Sequence, residues 1–451
     1  VGAIASAARP QYGGTLRVET EAVVRTIDPS APAADAAEAA ARGRVSRLVF
    51  EPLTAVDSGG LRPALATSWD EDARTGRWRF HLRSGVALHD GAVFEAWQAA
   101  ASLRVSEPAW KVTVDADTVL IDPDVPTPDL PWALADERHA IVVRGGGGSL
   151  LGTGPFRLDR TDNGRVVLRA HDAYWRARPF ADAVQIDTGR AFDAQLTDLE
   201  AGRADIVNLR ATDARRAARR GLRLEASNPL ELVALIVEQH RASDAMLSWR
   251  RALAATMNRD AICDVVLQGR AVPARSVLPA WLSGYAPVVA VPQGATLTRA
   301  AVVALPLDMR EITIRVEPGD AVLRAIGERI AVDAREAGFL VNLQVPAGLA
   351  PRADARLVRV RLAPTTPDRA LVSATSRLTV RGWPPLVTLN SLALKDTWLA
   401  EQALLTQGIV VPVVHVPELY ALGERVGFSA QPAANPTGGW SLADLWVRGK
   451  P

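Results

Sequence analysis

A chain of 451 residues is too long for one compact core and points to two or three domains. Its 48% hydrophobic and 23% charged content is that of a soluble globular protein, and 52 basic against 50 acidic side chains leave a formal charge of +2, too small a field to gather nucleic acid. No apolar run approaches the ~20 residues of a membrane-spanning helix, and a single cysteine, Cys263, excludes an intramolecular disulfide and a multi-thiolate metal site.

Near the start, Ala5-Ser6-Ala7 has the small residues that end a cleaved export signal, and the expectation is a periplasmic protein. No cysteine stands nearby to carry a lipid. A glycine turn and a strand follow at residues 12–20, and an alanine-rich helix is expected over 31–48. Trp78, Phe80 and Leu82 alternate with Arg77, Arg79, His81 and Arg83, which gives a strand with one apolar and one basic face. A helix over 93–103 comes next, then a proline- and aspartate-rich tract of short strands over 108–131. Gly145 to Gly148 lack the Lys-Ser/Thr or spaced glycines of a phosphate loop and read as a flexible connector.

Gly152-Thr153-Gly154-Pro155 forms a bare turn before an amphipathic strand, and His171-Asp172-Ala173-Tyr174-Trp175 trails it. Further on, a helix from Phe192 stops at Gly202, and strands are expected at 205–209 and 232–237, the latter apolar on both faces. A helical region opens at Trp249 and includes Cys263, which reads as a small buried hydrophobe. The strand 312–316, the helix 321–337 stopped by Gly338, and a strand from Leu340 make a βαβ unit with a parallel pair. A strand over 409–416 closes the series.

Seven tracts fall in an order that resembles the family 5 extracellular solute-binding proteins, the peptide- and nickel-binding receptors of ABC importers. They are Tyr12-Gly13-Gly14-Thr15-Leu16; Val49-Phe50-Glu51-Pro52-Leu53 with Leu65-Ala66-Thr67-Ser68-Trp69; Phe80 to Val86 with His89-Asp90-Gly91; the Gly152 turn with Tyr174-Trp175; Asp198 to Asp205; Arg250 to Arg259; and Ile409 to Val413. The resemblance implies an α/β fold of two lobes with mixed sheets, a periplasmic-binding-protein or Venus-flytrap architecture that encloses a ligand by hinge closure. It places lobe one at 1–44, 145–230 and 416–451, an extra subdomain of that lobe at 45–144, and lobe two at 231–415. It also implies an inner-membrane ABC permease as partner and no cofactor.

The chain departs from the family where ligands are chosen. Peptide receptors hold the peptide's amino terminus with an aspartate in a tryptophan-containing segment of lobe two. Residues 358–368 stand in that place here, and Asp368 lies several residues late. Arg359 and Arg361 favour an acidic ligand if they face the cleft, and are solvent-facing positions of an alternating strand otherwise. Glu238 and His240 replace the end of the crossing strand, where Glu238 offers a carboxylate to a cation. Trp383, between a glycine and two prolines, is the best-placed aromatic for a cleft. Trp383, Glu238, His240, Arg361 and Asp368 are therefore the candidate ligand residues.

The six histidines show no metal-ligand spacing, and neither a nucleophile elbow nor a metalloprotease motif occurs. The first reading is a receptor that captures a small polar ligand, a peptide among the candidates, without catalysis. The second is a receptor fold with a lost or altered pocket that serves as a structural or assembly subunit of an envelope complex.

Overall fold

The computed structural model describes residues 10–34, 36–57, 60–124, 127, 129–238, 245–286, 295–345, 353–362, 366–378, 394–428 and 441–448. The chain divides into two compact units, one made of Val1–Leu209, Arg216–Ser227 and Leu419–Pro451, the other of Arg210–Arg215 and Asn228–Glu418.

The first unit opens with β1 (Thr15–Glu19) and α1 (Ala36–Val49). Its helix begins five residues later than expected, because the Glu38 carboxylate turns back to accept from the Ala34 N–H at 2.8 Å and to pair with Arg25. Next come β2 (Ala66–Asp72), β3 (Arg77–Leu82), α2 (Ala96–Ser106), β4 (Trp110–Asp115) and β5 (Thr118–Pro123). These strands form a four-stranded antiparallel sheet in the order β2-β3-β5-β4. The apolar face of β3 is buried as its alternation requires: Trp78, Phe80 and Leu82 join Leu103 of α2 and Ile121 of β5 in one core.

α2 starts at Ala96 rather than Val93. Residues 92–94 are tied back by Ala92 and Val86 carbonyls, while Glu95 and Gln98 form a capping box. The four-glycine run is a tight turn, with Gly147 and Gly148 at φ 67° and 79°, between the paired residues Val143–Arg144 and Leu150–Leu151. Hence it is a hairpin turn, not a loose connector.

The larger sheet of this unit takes β6 (Phe156–Asp162), β7 (Arg165–Ala170), β8 (Ala183–Asp187) and, after α3 (Phe192–Glu200), β9 (Ile206–Leu209). The order is β6-β7-β8-β1-β9, antiparallel at one side and parallel where β1 lies between β8 and β9. Leu16, Val18, Val184, Ile186 and Ile206 bury one face under α1 residues Val45, Leu48 and Val49.

The second unit contains most of β10 (Arg223–Val237), then α4 (Ala245–Thr256), the two-residue β11 (Val272–Pro273), β12 (Glu311–Val316), α5 (Ala321–Ala337), β13 (Leu340–Gln344) and β14 (Ala355–Arg361). It continues with α6 (Pro367–Arg377), α7 (Leu394–Thr406) and the first part of β15 (Val410–Leu422). Its sheet runs β15-β10-β14-β12-β13. The expected βαβ unit is present, with β12 and β13 parallel and α5 ended by Gly338 at φ 110°. Residues 232–237 of β10 are all buried, and Leu232, Ala234 and Ile236 meet Val358 and Val360 of β14 and Leu371 of α6. Cys263 lies in a π-helical stretch, 2% exposed, and burial pushes its thiol up to about 12, so it is packing and not a nucleophile.

Candidate functional site

The signature turn can be built from its atoms. Ideal Cβ atoms would stand 2.1 Å from the Val49 carbonyl oxygen at Gly152 and 2.7 Å from it at Gly154. Only glycine lets this turn lie against the end of α1, where the Gly154 N–H donates to the Val49 carbonyl at 3.0 Å. Beneath it sits Glu51, 7% exposed. One of its oxygens, Oε2, accepts from Thr153 Oγ1 at 2.9 Å and Trp175 Nε1 at 2.8 Å, while Oε1 accepts from Tyr174 Oη at 2.9 Å. Burial pushes the Glu51 carboxyl above its usual range, opposed by the Trp175, Thr153 and Tyr174 hydrogen bonds.

Two histidines complete the brace. His89 Nδ1 accepts from the Gly152 N–H at 3.1 Å, which makes Nε2 the protonated nitrogen and the donor to the Gly154 carbonyl at 3.1 Å. His171 Nδ1 meets the same carbonyl at 3.1 Å. Burial draws His89 down to about 4, so it is neutral at physiological pH and its role is to fix backbone.

The second unit has a counterpart. Glu401 of α7 is fully buried and accepts from the Val277 N–H, from the Leu278 N–H at 3.1 Å, and from Tyr285 Oη at 2.5 Å. His415 of β15 meets the Val277 carbonyl through Nε2 at 3.0 Å, and burial holds it near 4. The backbone at Val277–Leu278 is thus fixed by a neutral imidazole and by a carboxylate that a phenol holds in turn.

The candidate ligand residues occupy separate places. Glu238, just past β10, pairs with Arg356 of β14, and Arg361 pairs with Glu418 of β15. Arg359 bridges Glu231 at 3.2 Å and Asp320 at 3.1 Å. Asp368 is buried in the first turn of α6, where a carboxylate complements the helix dipole. His240 and Trp383 lie outside the described residues. Among the described residues no group of three His, Cys, Asp or Glu side chains is arranged to hold a metal ion.

Sequence reading placed Glu51 in a landmark without assigning it a task, and missed Glu401 altogether. Thr153, Tyr174 and Trp175 were in view for the first. For the second, two of three donors are backbone amides, which leave no residue-type signature.

Comparison with known proteins accounts for this architecture. The model of a family described as bacterial extracellular solute-binding proteins, family 5 Middle, matches residues 60–368. A curated relative, the uncharacterized protein YhjP of Bacillus subtilis, is 30% identical over 158 residues, 32% of this chain and 27% of its own length. The dipeptide-binding protein of Escherichia coli is 24% identical over 272 residues, 49% of this chain and 50% of that one. The chain therefore spans between about a quarter and a half of these relatives. In structure, the ABC transporter substrate-binding protein CtaP of Listeria monocytogenes superposes with a TM-score of 0.82 over 97% of this chain and 100% of its own, at 16% identity, a likeness of fold.

Proposed function

This chain belongs to family 5 of the bacterial extracellular solute-binding proteins, and we propose that it is a receptor that captures a small polar solute outside the inner membrane and delivers it to an ABC permease. The observation that carries the reading is the family match across residues 60–368. A peptide is the first solute class to test, because a relative matching half of this chain is named a dipeptide-binding protein. The local chemistry supports capture without covalent steps. The buried Glu51 and Glu401 are occupied by donors, His89 and His415 are neutral and bonded to backbone, and the Cys263 thiol titrates near 12. Groups so engaged hold loops in place. No described helix is long and apolar enough to cross a membrane, in keeping with a receptor that works in solution.

A thermal-shift screen against short peptides, amino acids, sugars and metal chelates tests this. A ligand that binds only the folded state at a hundred times its dissociation constant stabilises by about 2.7 kcal/mol. One class is expected to raise the melting temperature in a saturable way. Self-association with no response to any class contradicts it.

A further inference from the structure

α2 turns two faces to different surroundings. Ala99, Ala100 and Leu103 enter the core of the first unit, while Trp97, Ala101 and Val105, spaced four apart along one face, are exposed. The Trp97 ring is held by its indole N–H, which donates to the Glu95 carboxylate at 2.6 Å. Residues 138–144 pass α2 in the opposite direction: the His139 ring meets Ser106 Oγ at 3.2 Å, and the Val142 N–H donates to Ser102 Oγ at 2.9 Å. A cavity of about 190 Å³ lies between them, with Trp97, Ala101 and Val105 on one wall and Val142 and Val143 on the other.

The polar side chains of this cavity hold donors in excess of acceptors. Ser102 is 8% exposed; its oxygen accepts from Val142, and its own proton meets no acceptor among the described residues. Gln98, also buried, accepts from the Glu95 N–H through Oε1 at 2.8 Å, which leaves its Nε2 amide without an acceptor among the described residues. Arg138 donates through Nε to His139 Nε2 at 3.1 Å, and that nitrogen stands 3.9 Å from the Asp136 carboxylate. Its two Nη groups make no hydrogen bond among the described residues. Arg144 donates through Nη2 to Asp28 at 2.7 Å and to Ser30, and its Nη1 and Nε have no such partner among the described residues. Ser102, Gln98, Arg138 and Arg144 all line the cavity, and no carboxylate of the described residues does.

Unused N–H and O–H groups beside two guanidinium groups match an oxyanion, and the apolar walls match a hydrocarbon body. The volume sets the size of that body. A closed apolar cavity of about 150 Å³ takes one benzene ring, whereas sites for drug-sized ligands begin near roughly 300 Å³. We propose that this cavity binds a small apolar monocarboxylate with a body of about one aromatic ring, the ring packed against Trp97 and the carboxylate taken by the guanidinium and Ser102 donors. The site stands on the geometry of the first unit alone and does not depend on the receptor reading.

The test titrates the full chain by fluorine NMR at matched ionic strength. The probe is para-fluorobenzoate, with para-fluorobenzamide as its neutral counterpart and fluoroacetate as a carboxylate without a ring. The benzoate is expected to bind saturably at about millimolar concentration, and the other two about tenfold more weakly or less still. Arg138→Gln is expected to weaken the benzoate about tenfold and Arg138→Lys to weaken it less. Trp97→Ala is expected to cost about tenfold through the lost ring contact. Ala101→Leu fills the cavity from an exposed position, and is expected to abolish binding while the melting temperature stays that of the parent. Equal binding of the acid and the amide overturns the site, as does the absence of any binding at about 10 mM benzoate. Benzoate affinity unaltered in both Trp97→Ala and Ala101→Leu also overturns it, because the ligand then sits elsewhere on the chain.

Discussion

The two units each carry a brace of the same chemistry. In one, Glu51, Tyr174 and His89 fix the turn at Gly152–Gly154; in the other, Glu401, Tyr285 and His415 fix the loop at Val277–Leu278. Both carboxylates are buried without a cationic hydrogen-bond partner, and both imidazoles meet a backbone carbonyl. They differ in their remaining donors. Glu51 is served by the side chains of Thr153 and Trp175, Glu401 by the amides of Val277 and Leu278. A brace made of side chains leaves a motif in the sequence, and one made on backbone leaves none. Each buried carboxylate is compensated by three neutral donors rather than by a cation.

If the braces are equivalent, Glu51→Ala and Glu401→Ala each leave three buried or half-buried donors without their acceptor, and urea unfolding is expected to show a loss of about 3 kcal/mol or more for each. A loss below about 1 kcal/mol in either would separate them. Next in size, Gly152→Ala forces a Cβ into the Val49 carbonyl and is expected to cost about 2–3 kcal/mol, whereas Gly202→Ala, with nothing within 4 Å but φ at +66°, should cost only about 1 kcal/mol.

The histidines test the comparison through pH. His89 and His415 stand near 4 in the folded chain, below the usual 6.5. Between those values the unfolded chain binds protons that the folded one does not. Their contribution is complete above about pH 6.5 and is lost as pH falls toward 4, on the order of 2 kcal/mol per histidine at pH 5. Melting curves from pH 8 to pH 4.5 should show this slope, and His89→Gln and His415→Gln should flatten it equally. Unequal flattening would make one brace weaker than the other.

The smallest effect concerns a carboxylate outside both braces. Glu19, at the end of β1, is 6% exposed, has an oxygen without a hydrogen-bond partner, and faces Asp198. Burial first and Asp198 second push it up to about 7 from 4.5. Its sign is therefore opposite. It costs nothing below about pH 4.5 and destabilises as pH rises through 7. Glu19→Gln is expected to gain roughly 1 kcal/mol at pH 8 and nothing at pH 5. A variant equally stable relative to the parent at both values would remove Glu19 from the account.

The α/β class and the strand order within the βαβ unit were legible because they rest on local pattern: the alternation of Trp78, Phe80 and Leu82, and the Gly338 stop before Leu340. The start of α2 was not, since Val93 is drawn into a bridge with Ala87 by contacts that periodicity does not encode. Arg359 and Arg361 read from sequence as anion-seeking or solvent-facing and are instead paired with Glu231, Asp320 and Glu418, partners 39 to 128 residues away. Which carboxylate an arginine meets is a property of register, and register between distant strands is not written in either strand alone.

The most direct test of capture without chemistry is to load the purified chain with defined peptides, remove free ligand, denature the protein and weigh what is released. The account predicts one unaltered peptide per chain. Cleaved or modified peptide, or none retained from any class supplied, would contradict it.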